Sequence, residues 1–392
     1  MIGRALFLAV ALSLPAAAPA ADGSLPGQKL QAIVDEAVAS GVPGAVVRVE
    51  TADGEVWTGA AGVVAVGGGS MSPDSLFRLF SVTKTITAAT AFTLIDDGTL
   101  GLDDPIGAWL DASLIADLPN STDVTVRHLI AQTSGIRDYA DDRLTAMIRE
   151  NFERVWTPAE LVALAADGDA VAPPGESPTY YSNTNYTLLG LIIEKATGMP
   201  LADAIRARVL GPLGAADTFS WAEAGRPEPV PGYFGEGGEL MDVSAVDLSM
   251  MWASGDLLST AGDTSKLLRG ILAGDLLSVE SRALMTGDFR PMVDRPVEYG
   301  YGTFRVPQWN PAPVGHSGEG PGAGALAVWW PDDGTIVVIL TNLDTGAHVA
   351  MLQEVAAALG KSPGSPPPLR SEPSRRVFDH LSRQSPTGAL LL

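Results

Sequence analysis

Strand-like periodicity at both ends of this 392-residue chain, with helix-like periodicity between them, is what most narrows its possible folds. Residues 28–40 read as an amphipathic helix, and two alternating runs, 45–51 and 55–61, flank Ala52-Asp53-Gly54, a hairpin signal. A second hairpin joins 325–330 to 335–341 across Pro331-Asp332-Asp333-Gly334, and a helix follows over 347–359. From about 82 to 245 the pattern is mostly helical, broken by Pro and Gly loops. This order predicts an α+β fold: an antiparallel sheet made from both chain ends, flanked by helices, with an inserted, mainly helical lobe. A cleft between the two lobes is the natural place for a ligand.

Three short motifs occur in one order: Ser81-Val82-Thr83-Lys84, Tyr181-Ser182-Asn183 and His316-Ser317-Gly318. Each is weak alone, and their ordered co-occurrence is the signal. Residues three apart in a helix share a face, so Lys84 can reach the Ser81 hydroxyl. Ser81 stands before an apolar helix, where free N–H groups and a partial positive charge favour an oxyanion. The alternative is a simple serine cap. A serine hydroxyl needs a base to become a nucleophile. No Ser-His-Asp arrangement or G-x-S-x-G elbow stands out; His380 lies in the polar tail and His348 in a helix read as surface. Lysine is then the base to consider, because an apolar cleft disfavours its ammonium form. Tyr181, on a polar loop after the turn at 174–178, is placed to share that proton, against the alternative of a satisfied core tyrosine. Asn183 can donate and accept, which suits both substrate and Lys84, or it caps the helix read from 186 to 195. The glycines around His316, Ser317 and Gly318 allow a substrate to add to a strand edge, or simply form a turn with a solvated histidine.

These motifs resemble the serine β-lactamase and penicillin-binding-protein superfamily, in its branch of class C β-lactamases, D-alanyl-D-alanine carboxypeptidases and related esterases. The resemblance spans about 27–360 and includes Phe77-Arg78-Leu79-Phe80 before Ser81, Leu100-Gly101-Leu102-Asp103-Asp104-Pro105, Thr133-Ser134-Gly135, and Gly255-Asp256-Leu257-Leu258-Ser259-Thr260. It implies Ser81 as acylated nucleophile, Lys84 as proton acceptor and Tyr181 as partner in proton transfer. Asn183, His316, Ser317 and Gly318 would bind substrate, and the N–H groups of Ser81 and Glu319 would form the oxyanion hole. Two departures matter. His316-Ser317-Gly318 replaces the Lys-Thr-Gly of class C β-lactamases, which points toward peptidase or esterase activity, and Gln132 stands where family members often carry histidine. The Glu319 carboxylate would also repel a peptide's C-terminal carboxylate, unless Arg295 or Arg305 approaches. D-amino-acid amides and esters therefore stay open beside D-alanyl-D-alanine peptides, as does a catalytically silent protein that captures peptidoglycan fragments or penicillin.

Residues 1–20, with Arg4, the apolar run 5–14 and Ala16-Ala17-Ala18-Pro19-Ala20, resemble a signal peptide cut near Ala20, which predicts a periplasmic or secreted protein. The apolar run is too short for a membrane span, and without cysteine there is no disulfide framework or lipidated cysteine, so no stable membrane anchor is expected. A net charge of −21 disfavours nucleic acid and anionic membranes. Scattered histidines and acidic pairs that read as turn residues predict no metal and no cofactor; the expected partner is a small-molecule or peptide substrate, with peptidoglycan-derived ones among the candidates. The hydrolase domain is placed at 21–361, followed by a Pro-rich disordered tail over 362–392.

Overall fold

The computed structural model describes residues 25–361 apart from 167, 177, 237, 238 and 294. The stretches read as a signal peptide (1–20) and as a tail (362–392, with His380) lie outside the described residues. Eight strands form one antiparallel sheet, in spatial order Val56–Gly62, Gly44–Glu50, Ile336–Thr341, Ala323–Trp329, Val314–Gly320, Phe304–Arg305, Glu298–Tyr299 and Arg290–Pro291. The two chain ends meet at its centre, with Ala45 opposite Thr341. Gly54 (φ 90°) and Gly334 (φ 71°) take left-handed backbone at the two Asp-Gly hairpin turns, where a Cβ would be strained.

Both faces of the sheet are covered, which is why Ile336–Thr341 is apolar at almost every position. Val46, Ala323, Ala325, Ala327, Val338 and Leu340 pack into the core shared with the helical lobe. Their alternates Val47, Val49, Leu326, Val328, Val337 and Ile339 pack beneath the terminal helices Gly27–Ala39 and Ala347–Ala358. On the strand next to His316, the lobe side is alanine and the other side Leu or Val, so the small residues stand where the Ser81 turn must come close.

The helical lobe is organised around Thr83–Asp96, buried over all but its last turn. Its threonines are satisfied in place: Thr85 Oγ1 donates to Gly302 O (2.7 Å) and Thr87 Oγ1 to Ala253 O (2.8 Å). The lobe departs from the expected helix beyond Leu213. Pro227, Pro229 and Pro231 cannot continue a helix, and the chain instead forms Phe219–Ser220, the hairpin Tyr233–Glu236 with Glu239–Asp242, and Leu257–Ser259. Leu257–Ser259 sits between Phe219–Ser220 and Phe77–Arg78, and so holds the chain entering Ser81. His348 also departs from expectation: its helix packs on the sheet, leaving the ring 1% exposed rather than on the surface. Among the described residues no helix is long and apolar enough to cross a membrane.

Candidate active site

Ser81 lies in a single 3-10 turn, Phe80–Val82, that runs directly into the buried helix Thr83–Asp96. Its N–H is in the first turn, where no intrahelical acceptor exists. Phe80, just before it, has φ 43°, a backbone state costly for a residue with a side chain. Close packing holds it there. A Cβ on Gly320 would meet the Phe80 ring at 2.4 Å, and one on Gly318 would lie 2.2 Å from Leu79 O and 2.8 Å from Ser81 N. The glycine of His316-Ser317-Gly318 is thus required for the strand to reach the serine turn.

Lys84 is fully buried and has three neighbours: Ser81 Oγ at 3.0 Å, Asn183 Oδ1 at 2.6 Å and Ser254 O at 2.9 Å. Burial pushes its pKa well below the ordinary lysine value and Arg295 adds to this, while Asp138 opposes it. A neutral amine fits the three neighbours: two N–H groups donate to Asn183 and Ser254, and the lone pair faces the serine hydroxyl. The Tyr181 hydroxyl faces Ser81, and its ring centroid lies 4.8 Å from Lys84 Nζ. Burial raises the Tyr181 pKa above that of a free phenol, outweighing the lowering by Ser81 and Arg295, so the resting phenol keeps its proton.

Asn183 does not stand on a loop; it opens the helix Asn183–Thr197, with Ser182 at the cap. Its backbone N–H donates to Asp138 Oδ1 (2.9 Å) and Nδ2 to Asp138 Oδ2 (3.0 Å), which turns Oδ1 toward Lys84. Asp138 and Ser254 escaped the sequence reading. Asp138 follows Thr133-Ser134-Gly135 without a motif of its own, and Ser254 acts through a carbonyl that any residue carries.

The third motif is not a turn before the strands but part of one, Val314–Gly320. The short strand Phe304–Arg305 pairs with it only at Val314 and Gly315, so 316–320 are unpaired on that side. His316 is buried at 3% exposure, with its ring packed on Tyr181, Tyr299 and Phe304. Its Nδ1 lies 2.5 Å from Ser317 O, an acceptor that assigns the proton to Nδ1 and leaves Nε2 toward Tyr299 Oη at 3.4 Å. Burial, helped by Lys84 and Arg295, lowers its pKa to about 3. The ring is neutral, not a solvated cation.

Ser81, Tyr181, Asn183, His316, Ser317 and Glu319 line one cavity of about 970 Å³ with largely apolar walls. A smaller depression of about 470 Å³ between Trp109 and Pro200 is lined by no serine, threonine or cysteine. At the cavity rim Glu319 Oε1 accepts the Gly346 N–H (2.8 Å), and burial raises its pKa. Asp344 lines the same cavity; burial and then the neighbouring Glu319 raise its pKa to about 6, and its Oδ1 is buried without a partner. Arg295 does approach, with its guanidinium 4.9 Å from the Tyr181 ring centroid. Arg305 instead pairs with Glu298 and stacks near Phe289. Among the described residues no three His, Cys, Asp or Glu side chains converge as metal ligands do.

Comparison with known proteins agrees with this geometry. The Beta-lactamase family model matches residues 30–360. The chain is 31% identical to Penicillin-binding protein 4 of Amycolatopsis lactamdurans, over 77% of this chain and 81% of that one. It superposes on a D-stereospecific amidohydrolase from Streptomyces sp. with TM-score 0.73 and 31% identity, covering 82% of this chain and 97% of the other. For the D-amino acid amidase of Ochrobactrum anthropi SV3 the TM-score is 0.76 at 26% identity, covering 85% and 98%. A sheet closed by both chain ends, a serine one helical turn from a buried lysine and a family match over nearly all the described residues lead to one conclusion: this chain is a serine hydrolase of the Beta-lactamase family.

Proposed function

We propose that the protein hydrolyses amides, peptides or esters of D-amino acids through an acyl-enzyme on Ser81. One observation carries this reading: Lys84, fully buried and driven toward its neutral form, stands 3.0 Å from Ser81 Oγ. In the proposed sequence Lys84 takes the Ser81 proton as Oγ bonds to the substrate carbonyl carbon. The N–H groups of Ser81 and Glu319 receive the oxyanion. As the carbon–nitrogen or carbon–oxygen bond breaks, the proton passes from Lys84 through Tyr181 to the leaving group. Water then adds to the acyl carbon, loses its proton by the reverse route, and frees Ser81. Asn183 orients Lys84 and the substrate amide, while neutral His316 packs behind Tyr181 with Ser317 and Gly318 along the substrate edge.

Substrate choice rests on the rim. A neutral His316 offers no charge to a C-terminal carboxylate, whereas Glu319 and Asp344 favour a substrate ammonium group. This supports amide substrates with a free amine, the class suggested by the D-stereospecific amidohydrolase and D-amino acid amidase neighbours. Arg295, beside Tyr181 in the same cavity, favours a second reading as a D-alanyl-D-alanine carboxypeptidase-like enzyme on peptidoglycan-derived peptides. The leader-like segment 1–20 supports action outside the cytoplasm. The deciding experiment is intact-protein mass spectrometry after exposure to a fluorophosphonate and to a penicillin, with Ser81→Ala as control. Turnover of D-phenylalanine amide and a D-alanyl-D-alanine peptide is then compared. A Ser81-dependent adduct with preferred cleavage of the amide is expected; preferred cleavage of the peptide selects the second reading. No adduct in folded protein returns the chain to the silent binding alternative.

A further inference from the structure

Gln132 occupies a costly backbone state and does more than fill it. The helix Val126–Ile130 ends one residue earlier, at Ala131, and Gln132 reverses the chain with φ 58°. Gly or Asn would adopt this left-handed conformation more readily, but neither brings an amide as far from the backbone. The Gln132 side chain is completely buried. Its Oε1 accepts the Ser182 N–H at 3.0 Å and the Asn185 Nδ2 at 2.6 Å, while its backbone O accepts the Tyr180 N–H at 3.3 Å. The Ser182 bond comes from a backbone donor, which cannot be flipped, so the amide orientation is settled. Asn185 is locked in turn, because Ser134 Oγ donates to its Oδ1 at 2.5 Å. One residue therefore holds 180, 182 and 185, and between these anchors stand Tyr181 and Asn183, whose side chains meet Ser81 and Lys84.

Gln132 does not line the cavity and makes no hydrogen bond to Ser81 or Lys84. Its buried Nε2 faces the Tyr299 hydroxyl without a bond as close as those of Oε1, so the firm contacts of the amide run through its oxygen. We propose that Gln132 is a positioning residue for acylation, its Oε1 setting where the Tyr181 hydroxyl and the Asn183 amide stand relative to Ser81 and Lys84. This inference rests on the acyl-enzyme reading above. It predicts a loss in rate rather than in binding, since substrate never touches the amide.

The test uses the full chain, p-nitrophenyl butyrate as substrate and a fluorophosphonate as acylation probe. Gln132→Met keeps length and burial but cannot accept, and should lower kcat on the order of 100-fold with KM within about threefold, the scale of a displaced catalytic group. Fluorophosphonate labelling should slow in parallel, with the thermal midpoint showing the protein folded. Gln132→Glu retains an acceptor oxygen for both donors and should recover most of the rate. The proposal is overturned if folded Gln132→Met keeps kcat within threefold of wild type, or if Gln132→Glu is folded and as slow as Gln132→Met. Should Gln132→Met not fold, Gln132→Asn decides: it tolerates the backbone but is one methylene short of Ser182, so reduced kcat at unchanged KM supports the proposal and unchanged kcat sinks it. Ser81→Ala run alongside separates the two levels. Hydrolysis surviving in Ser81→Ala removes the acyl-enzyme reading itself, whereas hydrolysis lost there but kept in Gln132→Met removes only the role of Gln132.

Discussion

On the wall of the cleft that carries Ser81, the polar groups of Lys84 and Asn183 are matched; on the wall that carries Glu319 and Asp344 they are not. Lys84 meets three oxygens, and Asn183 is gripped by Asp138 through both its backbone and side-chain nitrogens. Glu319 has one backbone donor, and Asp344 keeps a buried oxygen without a partner. A matched network holds one geometry and supports pre-organised chemistry. An unmatched carboxylate keeps the cost of its burial until a ligand supplies a donor. The contrast assigns reactivity to one wall and selectivity to the other.

Substitutions on the two walls should then fail differently. The largest effect is expected from Ser81→Ala, which should abolish covalent labelling and turnover in mass spectrometry and rate assays; residual burst kinetics would break the assignment. Lys84→Met should follow, lowering kcat by about 10³-fold, within the range for loss of a positioned base. In the wild type the rate should rise with pH as Lys84 loses its proton and level off well below the ordinary lysine pKa, because burial lowers that pKa. A profile still climbing near pH 10.5 would remove Lys84 as base. Gly318→Ala forces a Cβ against Leu79 O and Ser81 N, so acylation should fall roughly 100-fold with the protein still folded. On the other wall, Glu319→Gln should leave fluorophosphonate labelling within about threefold while shifting the preference between D-phenylalanine amide and a neutral ester by about tenfold, or ~1.4 kcal/mol. Equal losses on both substrates would erase the division between the walls.

A smaller effect is expected away from the cleft. His348 is buried beneath the sheet, and burial lowers its pKa to about 4 from the usual 6.5. Between these values the unfolded chain binds the proton and the folded chain does not. The associated stability is present above pH 6.5 and lost as pH falls toward 4. His348→Gln should flatten the fall in thermal midpoint across that window without changing turnover at pH 8.

The sheet was largely legible in the chain because its signals are local. Asp53-Gly54 and Asp333-Gly334 specify their turns, and the flanking runs are strands in the structure. Ser81 and Lys84 were legible for the same reason, since i and i+3 are neighbours wherever a helix forms. Less legible was 314–320, where three glycines among seven residues imitate a turn. Those glycines instead let a buried strand touch the Ser81 turn, a requirement set by a contact more than 200 residues away in sequence. His348 was misplaced because a helix packed on the inner strands of a sheet looks, in sequence, much like one facing water on one side.

By itself the sequence determined the parts with short-range causes: the hairpins, the buried helix behind Ser81, the reach of Lys84 to the serine, and membership of a family with ordered motifs. Only the tertiary structure decided which distant groups complete them. Asp138 aiming Asn183, the Ser254 carbonyl holding Lys84, Gln132 anchoring the Tyr181 segment and Asp344 joining Glu319 all come from residues without a motif. Local backbone preferences are written in neighbouring residues, whereas burial, and with it the charge state of Lys84 and His316, exists only once the lobes have closed around them.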